Sequence, residues 1–212
     1  MTASPFVPMY LRSVMELLDT LPCASIEKAA DMLLEAHASE ANVFIAGNGG
    51  SAALASHLAC DLEKTLAGPR FRRSKRRLRA VSLCDNLATL TAWANDEGYE
   101  HVFSERLRAH ANPGDVLIVI SASGNSPNIL EALRAGDELG LRTIAWLGFD
   151  GGQAMRMAEC SIHVPVHDYG IVEGVHGIIS HLITDLCSHS LRVNRASLRP
   201  AGPVLVPAGG VK

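Results

Sequence analysis

Two serine- and glycine-rich stretches, and a set of histidines and carboxylates at helical spacing, carry the chemistry of this chain. The first stretch is Gly47-Asn48-Gly49-Gly50-Ser51, which follows a short apolar run and opens a helical one. Its glycines let the backbone turn sharply and come close to a ligand. The helix start adds unpaired N–H groups and a positive dipole end. Ser51 contributes a hydroxyl. The second stretch, Ser121-Ala122-Ser123-Gly124-Asn125-Ser126, runs into Pro127, a favoured first helical residue. It brings the hydroxyls of Ser121, Ser123 and Ser126 to another helix N-terminus. Either stretch alone could be a plain turn with a serine cap. Two of them at the carboxyl ends of different strands read as a phosphate cradle, in which Asn48, Gly49 and Gly50 would also touch the ligand. GxxxxGK[ST] is absent and the spacing of GxGxxG is not met, which argues against a P-loop nucleotidase and a Rossmann dehydrogenase.

On the helix after the first stretch, His57 and Asp61 stand four apart, on one face and one turn from each other. Near the other end of the chain Glu173 and His181 are eight apart, just over two turns, with His176 between them. Two imidazoles and two carboxylates, His57, Asp61, Glu173 and His181, would suit Zn²⁺ or another divalent ion. The competing reading is that helical histidines are solvated or sit in the core.

These residues need a scaffold. Short runs rich in Val and Ile predict strands at Val43–Ala46, Ala80–Leu83, Val116–Ser121, Thr143–Leu147 and Ser161–Val164. Helical periodicity separates them at Ala52–Lys64, Leu87–Ala94, Val102–Ala109, Pro127–Leu139 and Ile171–Leu191. The alternation predicts an α/β fold: a doubly wound, mainly five-stranded parallel sheet with helices on both faces. Ligands of such sheets sit beyond the strand ends where strand order switches, which points to the loops after Ala46 and Ile120. A helical pair precedes the sheet. Tyr10, Leu11, Val14, Leu17 and Leu18 form one apolar stripe, and Ser25 opens a second helix bearing Ala29, Met32, Leu33 and Ala36. Residues 196–212 hold three prolines, three glycines and no periodicity, the pattern of a disordered tail after a domain spanning 1–195.

Composition narrows the class. A chain of 212 residues with net charge −3 does not look like a nucleic-acid binder. Its basic run, Arg70 to Arg79, is broken by a single aromatic, Phe71, and reads as a solvated loop whose Arg70 lies nearest the candidate metal helix. The five cysteines are scattered without a CxxC pair, consistent with reduced cytosolic thiols. Neither a membrane-length apolar run nor a signal peptide is recognisable, so the expected location is the cytoplasm.

The two cradles, with a histidine-bearing helix after the first, resemble the sugar isomerase (SIS) domain family, most closely its phosphoheptose isomerases, over residues 5 to 195. The resemblance implies that serines of both loops, here Ser51, Ser121, Ser123 and Ser126, hold a sugar phosphate. It implies that His57, Asp61, Glu173 and His181 hold one divalent metal, typically Zn²⁺, and that Glu173 also touches the substrate. It also implies that Asp85, Asn86 and Asp96 face the sugar hydroxyls, and that the protein forms a homotetramer. The implied reaction converts sedoheptulose 7-phosphate to an aldose 7-phosphate through an enediol, with Asp61 as base and His181 as acid. Many members carry Glu where Asp61 stands, Gln where Glu173 stands and Thr where Ala122 stands. The alternative is a non-catalytic SIS module, a sugar-phosphate sensor or a protein-binding scaffold; such relatives lack the metal-site residues that this chain has.

Overall fold

The computed structural model describes residues 5–64, 66 and 77–193. The elements run α1 (Phe6–Leu18), α2 (Cys23–Ser39), β1 (Asn42–Gly47), α3 (Gly50–Lys64), β2 (Arg79–Ser82), α4 (Leu87–Asp96), a 3₁₀ turn (Tyr99–His101), α5 (Ser104–His110), β3 (Val116–Ser121), α6 (Pro127–Glu138), β4 (Arg142–Leu147), α7 (Ala154–Met157), β5 (Cys160–His163) and α8 (Tyr169–Val193). The five strands form one sheet in the order β2-β1-β3-β4-β5, every neighbouring pair parallel. This is the expected doubly wound sheet with its leading helical pair. Strand order switches at the β1/β3 pair, beside which both serine-rich loops emerge.

Why these runs become central strands is visible in their burial. β3 is buried at every position, so both of its faces need apolar side chains. Alternate residues serve two separate cores. Val43, Ile45, Ile118, Ile120, Ile144 and Trp146 pack with α2, α3 and α8 on one face. Phe44, Ala46, Leu117, Val119, Ala145 and Leu147 pack with Phe103, just before α5, and with Leu107, Ile129 and Leu133 of α5 and α6 on the other. Each buried Val, Leu, Ile or Phe among them contributes about 1.5–3 kcal/mol of transfer free energy.

Asp115 pins the start of the central strand pair. Its carboxylate, almost fully buried, accepts from Asn42 N at 2.7 Å, from Asn42 Nδ2 at 3.0 Å and from Asn112 N at 2.9 Å. With Val43 paired to Val116 and Gly47 to Ile120, the two strands end side by side.

Several boundaries differ from the sequence reading. α2 starts at Cys23, two residues before Ser25, because the Pro22 carbonyl accepts from Ser25 N and Ile26 N and so begins the helix itself. α5 starts at Ser104 rather than Val102. α7 and the 3₁₀ turn are too short to show a periodicity. In α1, Val14, Leu17 and Leu18 pack on the core, whereas Leu11 and Met15 remain exposed. Tail 196–212 lies outside the described residues, as do Arg70, Arg72, Arg73, Lys75 and Arg76 of the basic run. Arg79 pairs with Glu40 at 3.5 Å. Among the described residues no helix is long and apolar enough to cross a membrane.

His176 belongs to the core. Its Nε2 meets the Leu147 carbonyl at 3.3 Å, and burial pushes its pKa from 6.5 down to about 4. The folded state therefore binds fewer protons than the unfolded chain between these two values. The stability associated with a neutral His176 is present above pH 6.5 and is lost as the pH falls toward 4. Thermal melts from about pH 7 to about pH 4 should show a declining Tm, and His176→Asn should make that decline shallower.

Candidate functional site

The two serine-rich loops meet in one pocket of about 280 Å³. From the β1 side it is lined by Asn48, Gly49, Gly50 and Ser51, and from the β3 side by Ser121, Ser123 and Ser126. α3 and α6 both begin here, so two sets of unpaired helix N–H groups and two positive dipole ends converge on a small polar volume. The second loop is shaped by its own hydroxyls. Ser121 Oγ accepts from Gly124 N at 3.1 Å, and Ser123 Oγ accepts from Asn125 N at 3.3 Å. A hydroxyl that accepts in this way keeps its O–H for an anion.

Gly124 has φ +62°, and a Cβ there would collide with the Gly151 carbonyl, so the loop after β4 packs directly on the second serine-rich loop. Asn125 fastens the two loops together, accepting from Gln153 N at 3.0 Å.

Glu173 closes the pocket from α8. An ideal Cβ on Gly50 would lie 2.5 Å from its carboxylate oxygens, so the missing side chain of Gly50 is what lets this acid approach the N-terminus of α3, where the helix dipole favours negative charge. The sequence reading had placed Glu173 among four metal ligands. The ligand atoms that come together, all within 4.8 Å of one another, belong to His57, Asp61 and His181 only among the described residues. Glu173 is outside that group because its side chain is drawn to the cradle.

Asp61 is the hub of the three. Its Oδ2 lies 3.2 Å from His57 Nε2 and 3.2 Å from His181 Nδ1, and the imidazole rings meet edge to face with centroids 5.1 Å apart. Both histidines are more than half exposed, whereas the Asp61 side chain is 21 % exposed, so the carboxylate sits behind the pair. Two imidazoles and one carboxylate at this spacing could hold a divalent metal ion. A groove of about 410 Å³ runs past the pair, between Ala53, Leu54 and His57 of α3 and Gly174, Gly177, Ile178 and His181 of α8. His57 is six residues beyond Ser51, so cradle and cluster are about 9 Å apart along the α3 axis at 1.5 Å per residue.

The other expected residues are not gathered there. Asp85 accepts from Ser56 Oγ and lines a separate groove of about 800 Å³ with Asn86, Lys64 and Arg106, reached from another face of α3. Asn86 is the N-cap of α4, its side chain accepting from Thr89 N at 3.1 Å. Asp96, at the end of α4, accepts from Asn95 Nδ2 at 2.7 Å and lines neither cradle nor cluster. Asn48 does line the cradle, but its carboxamide is paired with Asn128, donating from Nδ2 at 2.9 Å. Tyr169, which the sequence reading missed, lines the cradle from the first turn of α8 with its ring edge against Phe149. An aromatic at a helix start gives no signal by itself; only the parallel packing of α8 against α3 brings it here.

The glycines separate two kinds of constraint. Gly124→Ala should fold poorly, losing about 2 kcal/mol or more, because a positive φ and a backbone clash combine. Gly50→Ala meets only a movable side-chain end, so its Tm should stay close to that of the parent. Thermal melts check both.

Comparison with known proteins matches this geometry. Residues 9–148 match the family model described as the SIS domain. A phosphoheptose isomerase of Citrifermentans bemidjiense is 40 % identical over 169 residues, covering 80 % of this chain and 85 % of that protein. Solved phosphoheptose isomerases from Neisseria gonorrhoeae and Francisella tularensis superpose with TM-scores of 0.78 and 0.79. Their identities are 30 % and 28 %, covering 86 % and 89 % of this chain and 97 % and 100 % of theirs. Fold, paired cradles and relatives agree: the chain belongs to the SIS domain family and, within it, to the phosphoheptose isomerases.

Proposed function

We propose that the protein converts sedoheptulose 7-phosphate to D-glycero-D-manno-heptose 7-phosphate through an enediol, in the cytoplasm, as a step of heptose biosynthesis. The observation that carries this reading is the placement of a two-loop phosphate cradle and a His–Asp–His cluster along one helix, α3.

In this reading the phosphate is held by Ser51, Ser121, Ser123 and Ser126 and by the helix N-termini. Binding energy from that remote group orients the reacting carbons toward the cluster. Asp61 removes the proton from the carbon beside the carbonyl and returns it to the neighbouring carbon. His181, within hydrogen-bond reach of Asp61, gives a proton to the developing oxygen at the former carbonyl and takes one back from the neighbouring hydroxyl as the aldehyde forms. His57, on the other side of Asp61, holds the carboxylate in place. A divalent ion such as Zn²⁺, held by His57, Asp61 and His181, would polarise the substrate carbonyl. Glu173, above Gly50, lies where it can accept from a sugar hydroxyl next to the phosphate.

Residues 1–195 form one SIS domain in this reading, and the working unit is a homotetramer. Exposed Met9, Leu11 and Met15 on α1, and Ile178 and Leu182 on α8 beside His181, offer apolar area for a second copy to cover.

Turnover of sedoheptulose 7-phosphate by purified protein should be abolished by a chelator and restored by Zn²⁺. Asp61→Asn and His181→Ala should each lower kcat about 100-fold or more. If both variants turn over at the parent rate, the acid–base assignment is wrong. If the parent binds sugar phosphate without converting it under any metal condition, the protein is a sensor or scaffold.

A further inference from the structure

We infer that Asn128 is a positioning residue for sugar-phosphate binding, holding the two cradle loops at a fixed separation through Asn48. The inference rests on the reading of these loops as the phosphate cradle. Asn128 lies in the first turn of α6 and is 2 % exposed. It forms a reciprocal carboxamide pair with Asn48. Asn48 Nδ2 donates to Asn128 Oδ1 at 2.9 Å, and Asn128 Nδ2 donates to Asn48 Oδ1 at 2.9 Å. Tyr99 Oη, from the 3₁₀ turn, donates to the same Asn48 Oδ1 at 3.1 Å.

This arrangement ties three separate chain segments at one atom. Asn48 belongs to the loop before α3, Asn128 to the helix after β3, and Tyr99 to the turn after α4. Two bonds in opposite directions tolerate little sliding, so the pair fixes how far the N-terminus of α3 stands from that of α6. An anion that takes N–H groups from both helices is sensitive to that separation. Asn48 Oδ1 accepts two bonds and one Nδ2 hydrogen is used, which leaves Asn48 a single hydrogen for a ligand. Its larger contribution is therefore the loop position that Asn128 and Tyr99 impose on it. The effect belongs to binding, because the pair touches the cradle and not the His57–Asp61–His181 cluster.

The experiment measures kcat and KM for sedoheptulose 7-phosphate, and inhibition by inorganic phosphate, for the parent, Asn128→Ala, Asn48→Ala and the double variant. Asn128→Ala should raise KM and weaken phosphate inhibition together by about tenfold, with kcat within about threefold of the parent. In the double variant the loss should be no larger than in the worse single variant, because both remove one shared link. Should the alanine protein fail to fold, Asn128→Leu keeps the size and adds no charge beside the anion site but removes both bonds to Asn48, and it must show the same split between KM and kcat. A folded Asn128 variant with the parent's KM and phosphate inhibition overturns the inference, as do effects that add in full to those of Asn48→Ala. A parent that turns over substrate yet is indifferent to phosphate would overturn the cradle reading itself. A parent inhibited by phosphate as strongly as its Asn128 variants would overturn the positioning role alone.

Discussion

The side-by-side ending of β1 and β3 is the constraint on which everything else in this molecule depends. A strand–loop–helix unit delivers one helix N-terminus, which is a weak anion site. Two such units deliver a strong one only when their strands are neighbours, parallel and level at their carboxyl ends. The strand order provides the neighbours, and the switch between β1 and β3 lets α3 and α6 lie on opposite faces without obstructing each other. Level ends require register. Asp115 sets it at the start of the pair with two hydrogen bonds from Asn42, and five paired positions carry it upward from Val43–Val116 to Gly47–Ile120.

Given that frame, the small residues around the cradle each remove an obstacle. Gly50 leaves room for the Glu173 carboxylate, and Gly124 leaves room for the Gly151 backbone. The hydroxyls of Ser121 and Ser123 fold their own loop before any ligand arrives. The cradle is thus preorganised by hydrogen bonds that leave its serine O–H donors free, which lowers the ordering cost of binding. The His57–Asp61–His181 cluster is built differently. Two of its members share one face of α3 through simple helical spacing, and the third arrives from α8, which packs against α3 over the same side of the sheet.

What could be read from the sequence follows the range of the interactions involved. β3 was legible to the residue because a strand buried on both faces is an unbroken apolar run. Both cradle loops were legible because turn chemistry is local. The His57–Asp61 pair was legible because i,i+4 spacing on a helix is a local rule. The meeting of His181 with that pair depends on the packing of two helices far apart in sequence; residue types and helical spacing suggested it, and the family resemblance strengthened it. Glu173 shows the limit. Its helical position was read well enough to place it near the site, but which of two neighbouring features its carboxylate would approach was decided by the empty volume over Gly50. Asn86 shows another limit, since a polar residue after a strand can serve a ligand or cap a helix, and here it caps α4. His176 sits on the same helix as His181 yet turns inward to the Leu147 carbonyl, because five residues carry a helix more than a full turn.

That cradle and cluster are carried on the same helix has a consequence for which substrates can react. An α-helix does not stretch, so the interval between Ser51 and His57 behaves as a ruler set by backbone hydrogen bonds rather than by adjustable side chains. A phosphorylated sugar anchored at its phosphate end can present its carbonyl to the cluster only if its carbon chain matches that interval. Shorter homologues would be held but left short of the reacting groups, becoming inhibitors instead of substrates. Chain-length selectivity in this protein would then reside in secondary structure, and widening the pocket would not relax it.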